Sequence, residues 1–174
     1  LENEDYASVV SDRHFDRLKG LVEDARAKGA EVIEVNPGNE DFSNTNARKM
    51  PLTILKNVTD DMKAMQEEIF GPVLTVIPFK DEAEAITLAN GVAYGLAAYI
   101  WTNDLSRALR VTNQIEAGMM WVNSENVRHL PTPFGGVKAS GMGRDGGDWS
   151  FEFYMEQKHI GFAFGDHKIP RLGA

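Results

Sequence analysis

The chain has 174 residues, 43% hydrophobic and 25% charged, the balance of one globular domain with its own core. Its formal charge of −8 and pI near 5.0 speak against nucleic acid or an anionic membrane as partner, because both select clustered Lys and Arg. Cysteine is absent, which removes disulfides, thiolate metal ligands and thiol nucleophiles together, and the four scattered histidines (His14, His129, His159, His167) form no zinc-ligand spacing.

No apolar run approaches the ~20 residues that span a bilayer, and the N-terminus has no signal-peptide pattern, so a cytoplasmic location without membrane contact is expected. The first residue is Leu1, so the chain is expected to begin after processing, by truncation or by design.

In chain order, the spacing of Phe15, Leu18, Leu21, Val22 and Ala25 predicts a helix from Asp12 to Lys28, capped by Ser11. Glu31 to Val35 reads as a strand, Asn36 to Lys49 as a polar surface loop, and Leu52 to Val58 as a second strand. Thr59 is expected to cap a helical piece from Asp60 to Glu67. Pro72 to Phe79, nearly all apolar, predicts a strand covered on both faces. A helix over Lys80 to Asn90, a strand over Ala97 to Trp101, a helix over Asp104 to Ile115 and a strand over Met119 to Asn123 follow. Helices alternating with strands imply βαβ units and a mainly parallel sheet. Beyond Asn123 come a polar loop, a segment with six glycines between Phe134 and Gly147, a helix near Trp149 to Met155 and an apolar tail from His159 to Phe164.

Three segments could carry chemistry. Glu67-Glu-Ile-Phe-Gly-Pro72 sets two carboxylates and an aromatic at a Gly-Pro turn before a buried strand, where sites of parallel α/β sheets lie. From the residues alone, a solvated glutamate pair beside a core Phe is the preferred reading. Gly141-Met-Gly-Arg-Asp-Gly146 fits a dinucleotide fingerprint by spacing, but the required strand–turn–helix is missing, so a close backbone path is preferred. Arg128 beside His129 could grip a substrate carboxylate, or form an exposed basic pair.

Taken together with Tyr94-Gly-Leu96, Gly118-x-x-Trp-Val-Asn123 and Pro133-Phe-Gly-Gly-x-Lys-x-Ser-Gly-x-Gly-Arg144, these segments resemble the aldehyde dehydrogenase superfamily along essentially the whole chain. The resemblance implies an α/β fold, mainly a parallel sheet with flanking helices, forming the C-terminal part of the catalytic domain over 1–148. An oligomerisation helix, strand and tail would occupy 149–174, with Lys158 to Phe164 as the strand that joins a neighbouring subunit's sheet.

By the same resemblance, NAD or NADP is the cofactor, with Glu68 on the ribose beside the nicotinamide, Phe70 against the nicotinamide, and His14 and Arg17 on the adenosine side. Phe134 lines the aldehyde tunnel and Arg128 and His129 its outer loop. Arg144 and Glu156 support the subunit interface.

The reaction implied is addition of a cysteine thiolate to an aldehyde, hydride transfer to nicotinamide, and hydrolysis of the thioester by a glutamate-activated water. The cysteine and that glutamate belong to a missing N-terminal portion, so this chain is expected to hold no catalytic residue, to be inactive alone, and to act within a homo-oligomer. Its first part, with Arg13-His-Phe-Asp-Arg-Leu-Lys-Gly20, resembles coniferyl aldehyde dehydrogenases. Its remainder, with Trp121-Val-Asn-Ser-Glu-Asn-Val-Arg128, resembles carboxymethyl-hydroxymuconate semialdehyde dehydrogenases, which points to an acidic semialdehyde from aromatic catabolism. A non-catalytic assembly or binding module derived from such an enzyme is the alternative.

Overall fold

A computed structural model describes residues 3–43, 47–169, 171 and 173. Helix α1 (Asp12–Ala27) begins as expected: the Ser11 hydroxyl accepts from the His14 amide at 3.2 Å and so satisfies one of the donors a helix start leaves open. Its apolar stripe of Leu18, Leu21, Val22 and Ala25 is buried. Strands β1 (Glu31–Val35), β2 (Leu52–Lys56) and β3 (Val73–Val76) form one sheet in the order β1-β2-β3. Leu55 of β2 and Val73 of β3 meet the α1 stripe, together with Met62 and with Ala64 from α2 (Lys63–Gln66). This is the main core.

The next elements are α3 (Glu82–Asn90), β4 (Tyr94–Gly95), β5 (Ala97–Ile100), α4 (Leu105–Gln114), β6 (Met119–Val122), β7 (Val137–Lys138) and α5 (Asp148–Tyr154). Asp81 and Asp104 cap α3 and α4 by accepting from the amides of Glu84 and Arg107 at 2.9 and 3.0 Å. Glu82 ties the two helices together, taking two hydrogen bonds from Arg110 at 2.9 Å and one from Arg107 at 3.3 Å. That grip holds the Glu82 carboxyl below the ordinary glutamate range, Arg110 being the larger cause.

Three expectations change. The fold is α/β, but among the described residues its strands form three small sheets, one mixed, one antiparallel and one parallel, rather than one mainly parallel sheet. β2–β3 and β5–β6 are parallel, whereas β1–β2 and β4–β7 are antiparallel. The segment joining β1 to β2 has no helix among its described residues, and a return without a crossover runs antiparallel. Residues 44–46 of that expected loop lie outside the described residues.

Thr59 is not a helix cap. The Met62 amide donates to its carbonyl in a turn that precedes α2, and the helix starts at Lys63. The cap comes from elsewhere in the chain: Asp24 of α1 accepts from the Lys63 amide at 2.9 Å. β3 is covered on one face only, with Leu74 61% exposed. Lys158 to Phe164, expected to pair with a neighbouring subunit, pairs with no strand of its own chain among the described residues, and Ile160, Phe162 and Phe164 are exposed. Among the described residues no helix is long and apolar enough to cross a membrane.

Asp24 links pH to the core. The Lys63 amide, the larger cause, and Lys28 at 3.2 Å hold its carboxyl below the usual aspartate value. A depressed carboxyl contributes stability above its unfolded pKa and loses it as pH falls through the folded value. The melting temperature should therefore fall as pH drops below about 4, and Asp24→Asn should make that fall shallower. Equal slopes for the two proteins in calorimetric scans from about pH 6 to about pH 2.5 would remove Asp24 from this role.

Candidate active site

Two clefts collect the residues singled out from sequence. The first encloses about 360 Å³ and is lined by Val10, His14, Arg17, Glu67, Glu68, Phe70 and Tyr94. It is made by the outer face of α1 and the turn that leads into β3. Arg17 donates to the Glu68 carbonyl at 2.7 Å, to the Ile69 carbonyl at 3.1 Å and to the Glu67 carboxylate at 3.2 Å. The His14 ring nitrogen Nε2 lies 2.7 Å from the Phe70 carbonyl, and its ring meets the Phe70 ring edge-on with centroids 6.2 Å apart. Three successive carbonyls are thus held by one helix face.

The grip has a geometric consequence. Phe70 takes a φ of 53°, a left-handed conformation that bulky residues avoid, and its side chain is 73% exposed. Next to it Gly71 packs on the buried Leu18, where an added Cβ would stand 2.5 Å from Leu18 Cδ1. The turn is therefore anchored to the core below and to α1 beside it, with the aromatic ring left outward. The Glu68 carboxylate makes no hydrogen bond or ion pair among the described residues, so its acceptor sites face the cleft unengaged. A ligand offering hydroxyls and a flat apolar ring would find partners for both.

The second cleft, about 530 Å³, lies between β6 and the loop that follows it, lined by Met120, Trp121, Arg128, His129, Phe134 and Asp145 among others. Trp121 pins the loop by donating from Nε1 to the Val127 carbonyl at 3.0 Å, and it stacks on Tyr99 with centroids 5.4 Å apart. The Arg128 guanidinium carbon lies 4.4 Å from the centre of the Phe134 ring, a cation–π contact that puts positive charge against the cleft's aromatic wall. Arg128 also donates to the Asn126 side chain at 3.4 Å.

The Arg144 guanidinium donates to the Gly136 and Gly143 carbonyls at 2.7 and 2.6 Å, and no ion pair joins it to the exposed Glu156 among the described residues. Gly141 to Gly146 runs between the two-residue β7 and the short α5, outside any βαβ unit, so the setting of a dinucleotide loop is missing. Sequence reasoning missed Tyr94 as a wall of the first cleft, and Asp145 as part of the second. Tyr94 stood within a quoted motif, but its strand is paired through β4–β7, in which Tyr94 faces Lys138, 44 positions away. No cluster of groups able to hold a metal ion occurs among the described residues.

Comparison with known proteins yields a family match. The sequence model of the aldehyde dehydrogenase family matches residues 1–160. A probable coniferyl aldehyde dehydrogenase of Caulobacter vibrioides is 42% identical over 174 residues, which cover 99% of this chain and 36% of that protein. A 2-aminomuconic semialdehyde dehydrogenase of Danio rerio is 41% identical over 160 residues, covering 90% of this chain and 33% of that one. Among solved structures, HpcC from Thermus thermophilus superposes with a TM-score of 0.82 at 43% identity, over 96% of this chain and 33% of its own. A variant betaine aldehyde dehydrogenase from Staphylococcus aureus, solved in complex with NAD+, gives 0.79 at 36% identity, over 88% and 31%. The chain spans about a third of the length of the relatives it matches.

Arg17→Met keeps the aliphatic stem and removes every hydrogen bond from α1's Arg17 to residues 67–69. Amide exchange at Val73, whose N–H donates to the Gly71 carbonyl in that turn, should speed up by at least about tenfold while Leu55 in β2 stays protected. Unchanged exchange across the turn would show that Arg17 does not hold it.

Proposed function

Because this chain belongs to the aldehyde dehydrogenase family, we propose that it is the C-terminal part of an NAD(P)-dependent enzyme that oxidises an aldehyde to a carboxylic acid. The observation that carries this reading is the turn at Glu68 to Phe70, held outward by α1 at a cleft, with an unengaged carboxylate and an exposed ring. Those two groups fit a dinucleotide. Glu68 accepts hydrogen bonds from ribose hydroxyls, and Phe70 packs against the flat ring that bears the reactive carbon. His14 and Arg17 contact the cofactor from α1 and also keep the turn in place. NAD(P), when bound, supplies the hydride acceptor.

The second cleft takes the aldehyde. Phe134 and Trp121 exclude water from its apolar body, and Arg128 and His129 meet a substrate carboxylate at its mouth, which favours an acidic semialdehyde. The name of the Danio rerio relative supports that substrate class. Residues 1–148 form part of the catalytic domain and 149–174 the oligomerisation segment, in which Lys158 to Phe164 becomes a strand on pairing with a neighbour's sheet. The exposed Ile160, Phe162 and Phe164 support this, since an unpaired apolar segment invites β-addition. Arg144 and Glu156 steady that interface. The chain contains no cysteine, so capture of the aldehyde as a thiohemiacetal falls to a residue outside these 174.

Mixed with an aldehyde and NAD, the purified chain should produce no NADH, whereas the same chain joined to the N-terminal portion of its enzyme should. Turnover by the isolated chain above a heat-treated control would falsify this reading. In the joined enzyme Glu68→Gln should raise the KM for NAD(P) about tenfold, the scale of one hydrogen bond to a charged group. An unchanged KM would take Glu68 out of the cofactor site.

A further inference from the structure

The position of the Phe134 wall is set from outside the second cleft. Phe134 and Asp145 form a reciprocal backbone bridge: the Phe134 amide donates to the Asp145 carbonyl at 2.7 Å, and the Asp145 amide donates back at 2.8 Å. The Asp145 carboxylate accepts from the Ser150 hydroxyl at 2.5 Å and from the Gly146 amide at 2.9 Å. Ser150 lies on α5 and also accepts from the Gly146 amide, at 2.7 Å. Gly146 has a φ of 102° and leaves no room for a methyl, since an added Cβ would lie 2.4 Å from the Thr132 carbonyl oxygen and 2.8 Å from that of Leu130. Arg144 secures the other side of Phe134 through the Gly136 carbonyl.

Backbone 130–136 and backbone 143–150 therefore move as one piece, and Asp145 is its joint. We propose that Asp145 and Ser150 are positioning residues that set where Phe134 stands and thereby decide which aldehydes the second cleft admits. The proposal rests on the reading of that cleft as the aldehyde site. The Ser150 hydroxyl orients the Asp145 side chain, which locks the turn into α5; the backbone bridge passes that position to Phe134. Loss of the hydroxyl leaves the charged carboxylate with the Gly146 amide alone, and the wall gains freedom. Substrate fit changes more than the rate of the bound substrate, because neither residue acts on the reacting carbon.

The test compares Ser150→Ala with Ser150→Thr, which restores a hydroxyl, in the 174-residue chain and in the enzyme joined to its N-terminal portion. In the chain, Ser150→Ala should accelerate amide exchange at Phe134 and Asp145 by about tenfold or more, with β2 unchanged and with recovery in Ser150→Thr. In the joined enzyme, the ratio of KM values for a bulky and a small aldehyde should shift about tenfold, with kcat within about twofold. Unchanged exchange at Phe134, or loss of protection in β2 along with it, overturns the local role. If Phe134→Ala alters KM and Ser150→Ala does not, the positioning role is overturned while the cleft assignment stands. If neither alters KM, the aldehyde site lies elsewhere and the proposal falls with it.

Discussion

One helix with two working faces organises the first half of the molecule. The inner face of α1 buries Leu18, Leu21, Val22 and Ala25 against β2, β3 and α2, and that burial is what the sheet is built on. The outer face carries His14 and Arg17, which hold the carbonyls of Glu68, Ile69 and Phe70. Because both faces belong to one rigid element, the strained turn at Phe70 is fixed relative to the core. A residue in a left-handed conformation persists only where its surroundings over-determine it, and here Leu18 below and Arg17 beside supply that constraint.

The second half follows a different logic. Its parallel pair, β5 and β6, is bridged by α4 in a βαβ unit, and α3 is held to α4 by Glu82 and its two arginines. The polar loop and glycine-rich path after β6 bury little and are organised instead by hydrogen bonds to backbone carbonyls, from Trp121, Arg144 and the Phe134–Asp145 bridge. Directional bonds of this kind hold a wall in place without a core behind it.

Both halves leave apolar surface uncovered. Leu74 on β3, Trp101 after β5, Phe151 and Phe153 on α5, and Phe162 and Phe164 in the tail are all more than half exposed. Exposed apolar patches of this kind are a feature of interaction surfaces.

Residue patterning was enough to place α1, α3 and α4 to within a residue or two, and Ser11 was legible as the cap of α1, because helical spacing and a serine before it are local signals. The four motifs likewise sufficed for the family, since their order along the chain is itself information. Pairing was another matter. Whether β1 joins β2 parallel or antiparallel, that Asp24 rather than Thr59 caps α2, and that Tyr94 pairs with Lys138 are all set by contacts between residues far apart in the chain. So is the joint at Asp145, where a short acidic side chain among glycines carries no pattern until Ser150 and Phe134 are brought to it. Local chemistry is written in neighbouring residues; partners chosen across the fold depend on the packing that brings them together.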